Sequence, residues 1–187
     1  PGRIHPMTAQ SQPATPPPPP AGLPCVIDIE ASGFGRGSYP IEVGFVLPNG
    51  TTVCTLVRPA PHWTHWDPSA QSLHGLTREL LHEHGRPAEE VARLLNQHLA
   101  GTDLYCDGWA HDYAWLALLF DEAGLTPAFK LHHLRELLDD DDAAHWDQAC
   151  AQARAHLHIT RHRASNDARI LQLALACVKG LPGSPPA

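Results

Sequence analysis

The run CVIDIEASGF at residues 25–34 restricts the folds open to this chain more than any other stretch. Cys25, Val26, Ile27 and Ile29 suit a strand buried inside a sheet, yet Asp28 and Glu30 interrupt them. Side chains alternate along a strand, so residues two apart share a face. The two carboxylates therefore lie side by side, and burying an unpaired carboxylate is strongly unfavourable. A fold that accepts this strand must bring to it something that offsets both the burial and the mutual repulsion.

The order of elements around that strand sets the fold class. IEVGFVL (41–47) and TTVCTLV (51–57) flank a PNG turn, a hairpin pattern with Asn49-Gly50 at the bend. With residues 24–30 they make a three-stranded meander. A loop containing HWTHWDPSAQSLHGLT (62–77) follows, then a helix from Pro87 to Leu99. A short strand at 103–108 precedes a helix at 110–123. FKLHHL (129–134) reads as a last strand, or as helix if the following RELL extends into it. Helices at 142–157 and 165–178 complete the order. Antiparallel strands followed by alternating helices and strands indicate a mixed α/β sheet with helices on both faces.

At 187 residues and 43% hydrophobic content, the chain suits one domain with tails. The domain spans 23–179. Residues 1–22 are Pro-rich and expected to be disordered or polyproline II, with PGRIHP (1–6), ahead of Met7, expected to be a cloning remnant; 180–187 are expected to form a flexible tail. Thirteen basic residues stand against 20 acidic ones, a net charge of −7. Much of the excess comes from Glu136, Asp139 to Asp142 and Asp147, a pattern typical of a solvated face. This balance disfavours holding long nucleic acid by phosphate neutralisation alone. Five cysteines without a CxxC pair point to a reduced, cytoplasmic compartment without a disulfide framework. No apolar run approaches the length of a membrane span.

Two further carboxylates face inward. Asp112 shares a helix face with Trp115, Leu116 and Leu119; Asp167 shares one with Ile170, Leu171, Ala174 and Leu175. Either alone would be an ordinary acidic residue complementing a helix start. Four carboxylates from three elements require a strong positive charge, and no Lys or Arg occupies those positions. A pair of divalent ions supplies it, and an all-oxygen ligand set selects Mg²⁺ or Mn²⁺ over zinc. Two such ions promote in-line phosphoryl displacement. His162, five residues before Asp167 on the loop entering the last helix, is the candidate general base. The pairs His132-His133 and His156/His158 read as surface residues, and no HExxH or Cys/His spacing supports a zinc site.

DIEASG (28–33), HDYAWL (111–116) and HRASNDA (162–168) resemble the three motifs of the DEDDh 3′–5′ exonucleases, which include proofreading exonucleases, oligoribonuclease and ribonuclease T. SLHGLT (72–77) is similar to the HGIT-type stretch those enzymes carry between their first two motifs. The resemblance implies a ribonuclease-H-like fold: a five-stranded mixed sheet in the order 3-2-1-4-5 with strand 2 antiparallel. It implies that Asp28, Glu30 and Asp167 ligate one metal, with Asp28 bridging to a second that Asp112 assists, and that His162 deprotonates the attacking water. It further implies release of nucleoside 5′-monophosphates from single-stranded 3′ ends, and it allows a homodimer.

Departures from the family pattern concern substrate contact. Ala31 and Ser32 replace the usual Thr of the first motif, in the region that lines the terminal nucleotide. Trp109 and Ala110 replace the Asn-bearing lead-in of the second. Phe34 either stacks on a terminal base or packs; Trp63 and Trp66 either stack or cover the sheet edge. His74 belongs to the HGIT-like stretch, and Arg161 and Arg163 either meet phosphate or lie on the surface. The alternative function is a catalytically weak binding module on the same fold, attached to nucleic acid or a polymerase; the tails offer no clear polymerase-binding segment. RNA and DNA are not distinguished by the sequence.

Overall fold

A computed structural model describes residues 22–181. The N-terminal tail before Gly22, and residues 182–187, lie outside the described residues. The chain runs β1 (Cys25–Ala31), β2 (Pro40–Val46), β3 (Thr52–Leu56), α1 (Pro68–His74), α2 (Arg78–His84), α3 (Ala88–Leu99), β4 (Asp103–Cys106), α4 (Trp109–Ala123), β5 (Lys130–His133), α5 (Asp140–His156) and α6 (Ala164–Val178). The sheet order is β3-β2-β1-β4-β5. β2 is antiparallel to β1 and β3, whereas β4 runs parallel to β1 and β5. This is the mixed sheet expected from the sequence.

One stretch differs from the sequence reading. The stretch expected as a loop holds two short helices, α1 and α2. Asp67 caps α1 by accepting from the Ser69 amide at 2.9 Å, Pro68 opens it, and Gly75 closes it with a positive φ of 71°. Thr77 caps α2 by accepting from the Leu80 amide at 3.2 Å. Each helix has only 7 residues, too few for a helical repeat to stand out. Lys130–His133 is a strand, the first of the two readings, and Leu134–Leu137 forms a separate 3-10 turn after it.

The alternation of β1 divides the interior. Ile27 and Ile29 pack with Ile41, Val43 and Phe45 of β2 and with α3 and α4 on one face. Val26 and Val46 pack with Trp146, Ala149 and Ala153 of α5 and with α6 on the other. Asp28 and Glu30 follow Val26 on the α5–α6 face by that alternation. β1 pairs with β4 only at Cys25↔Leu104 and Val26↔Tyr105. Past Val26 the carboxyl-terminal half of β1 has no partner on that side, and a crevice opens where ligands of α/β sheets bind.

The acidic run on α5 has structural work. Asp139 and Asp142 form a reciprocal capping box, and Asp142, buried, also pairs with Lys179. His132 is half-buried, set between Asp103 at 2.9 Å and Glu136 at 3.4 Å, so it is not a plain surface residue. His156 and His158 are exposed. Among the described residues, no helix is long and apolar enough to cross a membrane.

Candidate active site

Two elements bring three acidic side chains together in the crevice. β1 contributes Asp28 and Glu30, and the first turn of α6 contributes Asp167. One carboxylate oxygen from each lies within 4.8 Å of the others. Gly44 permits this approach. It sits opposite Asp28 in the β1–β2 register, and a Cβ there would lie 2.1 Å from the Ser165 backbone nitrogen. Only a residue without a side chain lets the start of α6 press onto the sheet beside Asp28.

Glu42 of β2, which the sequence reading did not single out, secures that contact. It is fully buried and pairs with Glu30 across the ladder. Its carboxylate accepts from the Ala164 amide at 2.8 Å and from Arg163 Nε at 2.8 and 3.0 Å, with Arg163 Nη2 also bound. Arg163 is thus a clamp between sheet and helix start rather than a phosphate contact in the cleft. The buried charge on β2 explains why an Arg immediately precedes α6.

Asp112, on the first turn of α4, is 3% exposed. Among the described residues its Oδ2 has no hydrogen-bond partner, and a Cβ at Gly108 would meet that oxygen at an ordinary contact distance of 3.4 Å. Burial pushes the Asp112 carboxyl up to about 7, against a hydrogen bond from the Cys106 thiol that lowers it. Burial also lifts Glu30 to about 7, with further contributions from Asp167, Glu42 and Asp112. Asp28 is held well above the usual carboxylate range, first by burial and then by Asp112, Glu30 and Asp167. These carboxyls are poised for a cation: an orphaned buried oxygen and mutually repelling carboxylates are what a hard divalent ion relieves. Asp28, Glu30 and Asp167 fit as one ligand set, and Asp112 lines the same crevice.

His162 Nδ1 lies 3.2 Å from Asp167 Oδ2. A carboxylate accepting at this contact takes the Nδ1 proton, which leaves Nε2 for another partner. The histidine is half exposed, on the loop before α6. The sequence expectation that no Arg or Lys stands among these carboxylates is incomplete: Arg154, from α5, places Nη2 3.1 Å from Asp167 Oδ1.

The crevice encloses about 670 Å³ and is lined by all five of these candidate catalytic residues, with Ala31, Phe34, Leu73, His74, Arg135 and Arg154 among its walls. Phe34 is 66% exposed and leans edgewise on His111, with ring centres 5.1 Å apart. Leu73 of α1, missed in the sequence, is 63% exposed beside the same cleft. His74 is buried; its Nδ1 accepts from the Leu76 amide at 3.0 Å, which puts the proton on Nε2, on the side of the Ala31 backbone. Ser32 is also buried but does not face the cleft, because its Oγ accepts from the Tyr39 amide and contacts His65 Nδ1 at 2.9 Å. Trp63 is buried against Tyr39, and Trp66 donates to Gln71, so both are packing residues.

No protein-family model matches the chain, and no curated protein matches it. Solved structures do. Exonuclease I from Methylocaldum szegediense aligns over 81% of this chain with a TM-score of 0.61 and 15% identity. E. coli exonuclease I in complex with a dA16 oligonucleotide aligns over 81% with a TM-score of 0.59 and 16% identity. The zinc-bound form of an E. coli exonuclease I complex with single-stranded DNA aligns over 84% with a TM-score of 0.58 and 13% identity. The chain covers 39%, 40% and 41% of those proteins, about two fifths of their length. The fold is therefore the ribonuclease-H-like fold found in exonuclease I.

Proposed function

We propose that residues 23–179 form a metal-dependent 3′–5′ exonuclease that hydrolyses the terminal phosphodiester of a single-stranded nucleic acid and releases a nucleoside 5′-monophosphate. The observation that carries this reading is the convergence of Asp28, Glu30 and Asp167 oxygens within 4.8 Å, with the unpartnered Asp112 Oδ2 and the His162 imidazole at the same crevice. Its likeness to exonuclease I structures crystallised with oligonucleotides is consistent with a single-stranded substrate.

Asp28, Glu30, Asp112 and Asp167 would hold Mg²⁺ or Mn²⁺, two ions per site, which when bound supply charge stabilisation for the attacking and leaving oxygens. The chain's own side chains account for the remaining tasks. His162 Nε2 accepts the proton of the attacking water, while Asp167 fixes the ring through Nδ1 and steadies the imidazolium that results. As the water oxygen bonds to phosphorus, the bond from phosphorus to the 3′-oxygen of the preceding nucleotide breaks. That oxygen takes a proton from solvent and becomes the new 3′-hydroxyl. Phe34 and Leu73, exposed at the mouth, offer apolar surface to the terminal base. Arg135 has no ion-pair partner among the described residues and is free to meet a phosphate.

The test uses 5′-labelled RNA and DNA of matched sequence, with Mg²⁺, Mn²⁺ or EDTA, beside Asp28→Ala and His162→Ala. A metal-dependent ladder shortening from the 3′ end, lost in both variants, supports the proposal and identifies the preferred sugar. Intact strands in every lane, with the label retained in a gel shift, would instead identify a binding module.

A further inference from the structure

Resting on that reading, we infer that Arg154 is a further catalytic residue, which donates hydrogen bonds to the reacting phosphoryl group from a position fixed by Asp167. The sequence does not suggest it, because Arg154 lies on α5, outside every motif. The fold places α5 against α6, and Arg154 Nη2 meets Asp167 Oδ1 at 3.1 Å while the residue lines the same crevice as Asp28, Glu30 and His162.

Three features separate this contact from an ordinary surface ion pair. Asp167 is only 15% exposed, so its carboxylate is a fixed anchor rather than a mobile partner. Beyond the metal assigned to this carboxylate above, each of its oxygens meets one further group: Oδ2 orients His162 at 3.2 Å and Oδ1 orients Arg154 at 3.1 Å. The base and the guanidinium are therefore set on different oxygens of one carboxylate and line the same space. A guanidinium carries five N–H donors in a rigid fork, and Asp167 engages Nη2. Arg154 is 37% exposed, and the cleft is where its remaining donors have room.

The chemistry asks for such a group. In phosphodiester hydrolysis, negative charge gathers on the non-bridging oxygens and on the departing 3′-oxygen. Arg154 stabilises that charge by hydrogen bonding and transfers no proton: the water's proton goes to His162, and the leaving oxygen is protonated by solvent. Donors placed where charge develops act on the transition state more than on the bound substrate. Removing this one is expected to lower kcat by about a hundredfold, with KM changed by less than about threefold.

The experiment compares wild type, Arg154→Met and Arg154→Lys in steady-state cleavage of a labelled oligonucleotide. Guanidinium chloride at low millimolar concentration is added in a parallel series, and Mn²⁺ titration calorimetry follows each protein. The expected result is a kcat loss in Arg154→Met, partial activity in Arg154→Lys, partial rescue by guanidinium, and Mn²⁺ affinity within about twofold of wild type. Weakened Mn²⁺ binding without rescue would overturn the inference, showing that Arg154 acts only by holding Asp167. Activity within about threefold of wild type in both variants would also overturn it while leaving the exonuclease reading intact. A wild-type protein that binds Mn²⁺ and cleaves nothing would refute the exonuclease reading itself, and this inference with it. If Arg154→Met fails to fold by circular dichroism, Arg154→Lys with guanidinium rescue decides alone.

Discussion

Asp112 makes the electrostatic load of the crevice measurable as stability. Its carboxyl is buried, has an orphaned oxygen, and is lifted from 3.8 to about 7. A carboxyl raised above its unfolded value keeps its proton in the native state longer than in the unfolded chain. The native state then binds more protons, and stability falls as pH rises from the unfolded value through the folded one. Each pKa unit corresponds to about 1.4 kcal/mol. Between pH 5 and pH 8 the unfolded carboxyl is already ionised, so roughly two units remain, or about 3 kcal/mol lost across that window. Asp112→Asn removes the ionisation but keeps the shape. In EDTA, urea unfolding of the variant is expected to gain about 3 kcal/mol on wild type between pH 5 and pH 8. Taking the difference between the two proteins cancels the titration of the 14 histidines. A difference that stays flat over the window, or shrinks as pH rises, would refute the assignment of Asp112 as a buried, uncompensated acid.

Other expectations follow from the same geometry. Mn²⁺ at about a hundred times its dissociation constant should stabilise the fold by about 2.7 kcal/mol, read as a rise in melting temperature that Asp28→Asn abolishes. Arg163→Ala leaves the fully buried Glu42 carboxylate without its guanidinium and should destabilise the domain by about 3–5 kcal/mol in urea titration; Glu42→Gln in the same background should recover part of that loss. Gly44→Ala forces α6 away from β1, so activity and melting temperature should fall together. Phe34→Ala, at an exposed position, should leave the melting temperature unchanged and raise KM by about tenfold if the ring stacks on the terminal base.

The four carboxylates visible in the sequence share one property: each is fixed by local periodicity. Asp28 and Glu30 stand out because a period of two puts them on a buried strand face, and Asp112 and Asp167 because a period of 3.6 puts them on apolar helix faces. A hairpin turn and alternating elements made the mixed sheet legible, whereas the strand order came from the resemblance to the exonuclease family. What escaped depends on contacts between distant segments. Glu42 reads as an acidic residue on a strand until Arg163, 121 positions later, closes on it. Arg154 sits on a helix whose phase gives no sign that Asp167 lies across from it. Ser32 resembled a substrate contact because it stands within the first motif, but the contacts to Tyr39 and His65 use its hydroxyl. Leu73 was hidden with α1, a helix too short to announce itself.

The two cores on either face of the sheet bear on how this protein would lose activity. Asp112 is carried by an element of the α3–α4 core, Asp167, His162 and Arg154 by the α5–α6 side, and Asp28 and Glu30 by the strand between them. Neither core holds a complete set. Opening of either one, even with the other intact, separates the ligands and silences the site. Residual activity during heating or denaturant challenge would therefore report the weaker of two interfaces rather than the average state of the fold. Inactivation should precede, and never lag behind, the loss of secondary structure.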